Sequence, residues 1–284
     1  MGASGSPRRG RAGAGVVVLA AGVAIGPLAA GAAEAAGAEP VVVCASSDVR
    51  LAYEMAQGVL GAVEGRSSTV AVQFDDRLTD TQCELRADRS FDSASVIKVA
   101  VLGALLRTAQ NEGRALTASE KSQATAMITE SDNAATTALW TQLGMTRIKR
   151  FLSSAGMMNT VPGAHGYWGL TQTTARDQGT LLRLLSTENN VLNRASRTYA
   201  LRLMAEVVPS QRWGTSAGAP STATVRLKNG WLPRSTHGWR VHSVGAFTGA
   251  EYDYTLAVLT EDNSVMADGI STIESVSRAI HRQL

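Results

Sequence analysis

The 284-residue sequence is poor in soft metal ligands, with only two cysteines, Cys44 and Cys83, and four histidines. The histidines are scattered and no Cys/His cluster occurs, so neither a metal site nor a cofactor is expected. Charge is also scarce: charged residues make up 18% and hydrophobic ones 44%, enough to bury a sizeable core and too apolar for wholesale disorder. The formal net charge is +3, but beyond residue 38 it falls to +1, with 24 basic residues against 23 acidic ones. That is no footprint for a nucleic acid. No internal repeat or low-complexity tract follows residue 40, which removes support for a structural cell-wall protein.

What is there begins with an N-terminal segment of export type. Arg8, Arg9 and Arg11 form a basic start, residues 12–33 carry no charge and include Val16-Val17-Val18-Leu19, and Ala33-Glu34-Ala35 and Ala36-Gly37-Ala38 are cleavage candidates. Residues 1–38 are therefore expected to be a signal peptide, with Arg8-Arg9 hinting at twin-arginine export, and the mature chain to be secreted; an uncleaved membrane anchor is the alternative. Outside the cell a Cys44–Cys83 disulfide is expected. A lipid anchor on Cys44 would need small residues before it, and Val41-Val42-Val43 does not fit.

Along the mature chain, helical spacing runs from Asp48 to Val63, and strands are expected at Thr69–Phe74 and Gln82–Ala87. A strongly apolar helix runs from Val96 to Leu106. Thr117-Ala118-Ser119-Glu120 reads as a capping box opening a helix toward Ile128. Helices follow from near Asp132 to Gly144, Thr146 to Ala155, Thr171 or Thr173 to Leu185, and Ala195 to Val207. Met157–Leu170 is a loop. Strands at Thr224–Lys228, Val241–Phe247 and Tyr254–Leu259 and a helix from Ala267 to Arg282 complete the chain. The expected fold class is α/β in the α+β sense. An antiparallel sheet built from both chain ends (about 41–90 and 218–284) is covered by the first and last helices, with an all-helical lobe (about 91–217) inserted and a cleft between.

Three short motifs fall beside that cleft. Ser95 and Lys98 stand three apart on one helix face, so a lysine whose pKa is lowered by apolar surroundings can take the proton of a serine nucleophile. Ser131-Asp132-Asn133 precedes a helix, and Lys228-Asn229-Gly230 closes a strand. The ordered set Ser-x-x-Lys, Ser-Asp-Asn, Lys-x-Gly resembles the class A β-lactamases and penicillin-recognising serine hydrolases over nearly the whole mature chain. The resemblance implies a β-lactamase/transpeptidase-like fold and an acyl-enzyme formed at Ser95. It also implies Lys98 as base, Ser131 as proton relay to the leaving nitrogen, Asn133 on the substrate amide, and Lys228 beside a substrate carboxylate. Asn229 and Gly230 would bind substrate, and the backbone N–H groups of Ser95 and Trp231 would form the oxyanion hole.

Two positions depart from that pattern. Class A enzymes hydrolyse the acyl-enzyme with a loop glutamate, whereas residues 156–170 here contain no acidic residue, and between Asn133 and Thr187 the only one is Asp177. His165 is the one other candidate base in the loop. Asn229 stands where the family has threonine or serine, leaving Arg226, Arg234 and Arg240 as candidate carboxylate partners and Trp213, Trp231 and Trp239 as candidate pocket walls. In these respects the chain resembles exported actinobacterial serine hydrolase relatives that lack the glutamate. The expectation is an exported, monomeric serine hydrolase acting on a β-lactam, cell-wall peptide or related amide or ester, with slow deacylation. The alternatives are a D-alanyl-D-alanine peptidase-like enzyme, an esterase, or a binding protein acylated once.

Overall fold

Apolar, β-branched runs from the two ends of the chain make one antiparallel sheet in this computed structural model, which describes residues 14–20, 23–24 and 40–284. Its strands are β1 (Gly15–Ala20), β2 (Val23–Ala24), β3 (Val41–Ser46), β4 (Thr69–Asp76) and β5 (Thr81–Leu85) from the first part. A short pair, β6 (Phe91–Asp92) and β7 (Gln172–Thr173), lies apart from it. The later part supplies β8 (Thr224–Pro233), β9 (Trp239–Thr248) and β10 (Asp253–Asn263), and the order across the main sheet is β2-β1-β3-β5-β4-β10-β9-β8. The Val16–Leu19 run thus lies in β1, paired with β3; Arg8, Arg9, Arg11 and both cleavage candidates lie outside the described residues. Cys44 and Cys83 face each other in register on β3 and β5 and form a buried disulfide, with Cα atoms 4.1 Å apart.

One face of the sheet is covered by α1 (Val49–Val63), capped by Asp48, and α7 (Met266–His281). Met55, Val59, Phe74, Tyr254, Ile273 and Ile280 fill the layer between. On the other face the helices pack around α2 (Ile97–Asn111), which is apolar on nearly every side; such a helix is stable only when surrounded. Its Leu102 and Leu105 are fully buried, each worth roughly 1.5–3 kcal/mol of burial.

The helices around it are α3 (Ala118–Thr125), α4 (Asn133–Ser154), α5 (Ala175–Ser186) and α6 (Arg194–Ala205). Both halves of the Thr117/Glu120 capping box form, and α3 runs into a π-helical turn, Ala126–Glu130. The helices expected on either side of Gly144 are one element, α4, broken at Gly144 (φ 67°, ψ 161°). No helix among the described residues is long and apolar enough to cross a membrane.

Two of the boundaries that differ from expectation bear on the site. Helix α5 is capped by Thr174, not Thr171 or Thr173, because Thr173 is in β7 with its hydroxyl bonded to Thr160 Oγ1 and Gln178 Nε2, both at 2.9 Å. Strand β8 continues through Lys228-Asn229-Gly230 to Pro233 instead of ending there. Among the described residues it is the last strand of the sheet and pairs only with β9, and an edge tolerates glycine and proline that a central strand would not.

Candidate active site

The chain reaches Ser95 through a tightly tied turn. Strands β6 and β7 pair Phe91 with Thr173, Ser93 N donates to Thr171 O at 2.8 Å, and Ala94 takes φ 46° into a single 3₁₀ turn, Ala94–Val96. Ser95 sits half-buried in that turn, ahead of α2, so it does not itself cap the helix. His242 on β9 braces the turn from below: its Nε2–H donates to Asp92 O at 2.8 Å while Nδ1 accepts from Thr260 N at 3.1 Å. Burial pushes this imidazole down to about 4, so it is a neutral strut. Nothing in the sequence marks His242 for this role except its position on the expected strand.

Strand β8 passes directly beside the turn. A Cβ on Gly230 would lie 2.6 Å from Ser95 N and 2.9 Å from Val96 N, so this position admits only glycine. The close approach sets the β8 backbone at Gly230 directly against the turn that carries Ser95.

Two lysine amines converge on one hydroxyl. Lys98 Nζ donates to Ser131 O at 2.7 Å, Ser131 Oγ at 3.1 Å and Asn133 Oδ1 at 2.8 Å; Lys228 Nζ lies 3.0 Å from the same Oγ and donates to Asn229 O at 2.8 Å. Ser131 reaches in because it adopts the left-handed conformation (φ 60°) that ends the π-helical turn. Asp132 then caps α4 through Ala135 N at 2.6 Å, fixing Asn133 at the helix start. Both lysines are fully buried. Desolvation pulls Lys98 down to about 7, partly opposed by Asp132. It lowers Lys228 as well, helped by repulsion from Lys98. A hydroxyl held between two amines, one of them readily neutral, can pass a proton in either direction. Among the described residues Ser95 Oγ makes no hydrogen bond, and no carboxylate hydrogen-bonds Ser95, Lys98, Ser131 or Lys228.

The acid-free loop closes the helical side. A backbone pair between Val161 and Gln172 (2.8 and 2.9 Å) cinches its base. Asp177 belongs to that base: its carboxylate accepts from Asn159 N at 2.9 Å and Thr160 Oγ1 at 2.6 Å. His165 is exposed at φ 52°, with no hydrogen bond to the site. Trp168 is what faces the site. Its ring centroid lies 4.8 Å from Lys98 Nζ, and its Nε1 donates to Thr137 Oγ1 at 3.1 Å. Sequence reasoning passed over both residues; the one available signal was that Thr137 follows Asn133 by one helical turn.

The β8 side departs from expectation. Asn229 uses both amide protons on backbone, donating to Gln211 O at 2.8 Å and Trp213 O at 2.9 Å, so they do not point at a substrate carboxylate. Arg240 is buried against Thr236 O, Asp92 and Glu261, Arg234 pairs with Asp92 at 3.3 Å, and Arg226 bonds Thr248 Oγ1. None of the three is bonded to the lysine–serine cluster. Trp213 and Trp231 adjoin each other with ring centroids 6.0 Å apart, while Trp239 packs on the sheet core. The acidic group His237, Glu261 and Asp262 lies close enough to suggest a cation, but Arg89 and Arg240 already neutralise Glu261.

The architecture is shared with solved structures. A β-lactamase from Sphaerobacter thermophilus superposes with a TM-score of 0.70 at 22% identity, covering 80% of this chain and 96% of its own. A class A representative from Bacteroides cellulosilyticus gives 0.71 at 16%, covering 82% and 98%. PBP-A gives 0.70 at 20%, covering 82% and 96%. Curated proteins offer no match. At these identities the structures establish a common fold. The family model described as the beta-lactamase enzyme family matches residues 54–123 and 110–284, a span that holds all three motifs, and the chain belongs to that family of serine hydrolases.

Proposed function

We propose that the protein is exported and that Ser95 is acylated by β-lactams or related amides and esters, the acyl-enzyme then turning over slowly. In this reading Lys98 Nζ takes the Ser95 proton as Oγ bonds to the carbonyl carbon. The C–N bond breaks, and a proton passes through Ser131 Oγ to the departing nitrogen. The N–H groups of Ser95 and Trp231 stabilise the oxyanion, and Lys228 favours a substrate carboxylate. Asn133, whose Oδ1 already holds Lys98, offers its amide nitrogen to the substrate side chain.

The observation that carries this reading is the Ser131 hydroxyl, 3.1 Å from the Lys98 amine and 3.0 Å from that of Lys228. The slow second step is inferred from the loop: Asp177 is committed to Asn159 and Thr160, and His165 faces outward. A positioned base supplies about 10²–10⁴-fold, so its loss separates acylation from hydrolysis.

The test follows a chromogenic cephalosporin and a penicillin by absorbance and by intact mass of the protein, with Ser95→Ala as control. The expected result is one covalent equivalent, absent in the variant, that decays slowly. Rapid turnover would overturn the slow step while keeping the nucleophile; no adduct would overturn the β-lactam reading and direct attention to peptides and esters.

A further inference from the structure

The ring of Trp168 sits where a loop residue meets the buried face of the catalytic lysine, and its placement is built, not incidental. The centroid is 4.8 Å from Lys98 Nζ, within cation–π range. Nε1–H is fixed to Thr137 Oγ1 at 3.1 Å. Thr137 stands one turn beyond Asn133 on α4, and Asn133 Oδ1 itself accepts from Lys98 at 2.8 Å. The loop is anchored at both ends, through the Val161–Gln172 backbone pair and through Ser93 N on Thr171 O. Lys98 has no solvent-accessible surface, and the indole, Asn133 and Ser131 all lie against its amine.

We propose that Trp168 is the lid of this site: its indole, pinned to Thr137, keeps water off the Lys98 side of acylated Ser95 and so sets the lifetime of the acyl-enzyme. Hydrolysis needs a water oxygen to attack the ester carbonyl carbon. The bond from that carbon to Ser95 Oγ then breaks, one water proton returns to Oγ, and the freed acid departs with the remaining hydroxyl. An indole over the lysine denies that water both space and a proton acceptor. Trp168 touches neither nucleophile nor substrate in this scheme; it is a positioning residue. The inference rests on acylation at Ser95 as proposed above.

The lid also governs Lys98. Two effects of the ring oppose each other: cation–π attraction favours the ammonium form, and exclusion of water disfavours it. Burial of the amine as a whole lowers it to about 7, and the indole is one of the groups that bury it. A ring acting as a lid therefore predicts that its removal lets water in and raises the lysine midpoint.

The experiment compares the wild-type chain with Trp168→Ala, Trp168→Phe and Thr137→Val. A fluorescent penicillin reports acylation and intact mass reports decay of the adduct. Trp168→Ala is expected to shorten the adduct's lifetime by about tenfold or more, while acylation above the Lys98 midpoint changes by less than about threefold. Trp168→Phe keeps a ring over the amine and should restore most of the lifetime. Thr137→Val, on an exposed helix face, should give an intermediate value with unchanged acylation. An unchanged lifetime in Trp168→Ala overturns the lid.

A second readout does not depend on acylation: carbon NMR titration of the Lys98 ε-methylene. Its midpoint should rise in Trp168→Ala, and an unmoved midpoint overturns the lid. Failure of the wild-type chain to acylate would sink the β-lactam reading alone, because the lysine titration still decides whether Trp168 closes the pocket.

Discussion

In the proposed mechanism Lys98 is the residue on which the chemistry turns, because the same burial that costs stability would make it a base. A fall from 10.5 to about 7 corresponds to about 5 kcal/mol of discrimination against the charged amine. The folded value lies below the unfolded one, so the penalty is fully present below about pH 7 and is relieved as pH rises from there toward the unfolded value. Under that proposal acylation runs the same way, since only the neutral amine would accept a proton from Ser95. Acylation should rise about tenfold per pH unit on the acid side, bend near pH 7 and then level, as read by stopped-flow trapping with a chromogenic substrate. A flat profile across that range would remove Lys98 as the base. The four catalytic candidates, Ser95, Lys98, Ser131 and Lys228, were legible because short spacings fix them relative to their own elements. Asn229 was not: its identity reads as a substrate ligand, but its direction is set by two carbonyls sixteen and eighteen residues away in sequence.

Those carbonyls belong to the segment that carries Trp213, and the bond to it joins an edge strand to a neighbouring turn (Pro209–Gln211). Strand β8 has only one strand partner, so Asn229 supplies the lateral attachment that a second strand would give elsewhere. Truncating it with Asn229→Ala leaves Gln211 O and Trp213 O without their buried donor. The expected cost is about 1–3 kcal/mol in urea denaturation, with acylation weakened through the displaced Lys228-Asn229-Gly230 backbone. A variant as stable as wild type would mean that water replaces the amide there. The same logic explains which elements the sequence announced. Helix α1, with Asp48 at its cap, α3, with its Thr117/Glu120 box, and α7 carry local signals. The cap of α5 was misplaced because two preceding threonines have tertiary work: Thr171 Oγ1 accepts from Gly163 N and Thr173 Oγ1 bonds Thr160, leaving Thr174 as the cap. Trp168 is the extreme case. A loop tryptophan has no periodicity to place it, and its function depends on Thr137 and Lys98, which it meets only after folding.

For the whole molecule, the arrangement of the sheet bears on export. Cleavage at either candidate site would remove β1 and β2, which lie at the end of the sheet and contact it only through β3. Strand β3 would then become the edge, joined on one side only to β5, and the Cys44–Cys83 disulfide bridges that junction. Closing a loop of 39 residues' separation contributes roughly 4 kcal/mol by chain-entropy arguments. In the chain of residues 39–284 the disulfide should therefore reinforce the β5 ladder and the α1 packing that hold β3 in place. We expect that chain to keep full acylation and to lose in stability chiefly the burial of Leu19 and, in part, of Val17 against the sheet core. We expect Cys44→Ala with Cys83→Ala to lower its melting temperature by about 10 °C. The two changes should couple, the paired substitution costing more in the shortened chain than in one that retains residues 14–24, because only there does β3 depend on one neighbour. Thermal melts of the four chains measure that coupling directly. Additive losses would mean that β1 lends β3 no support.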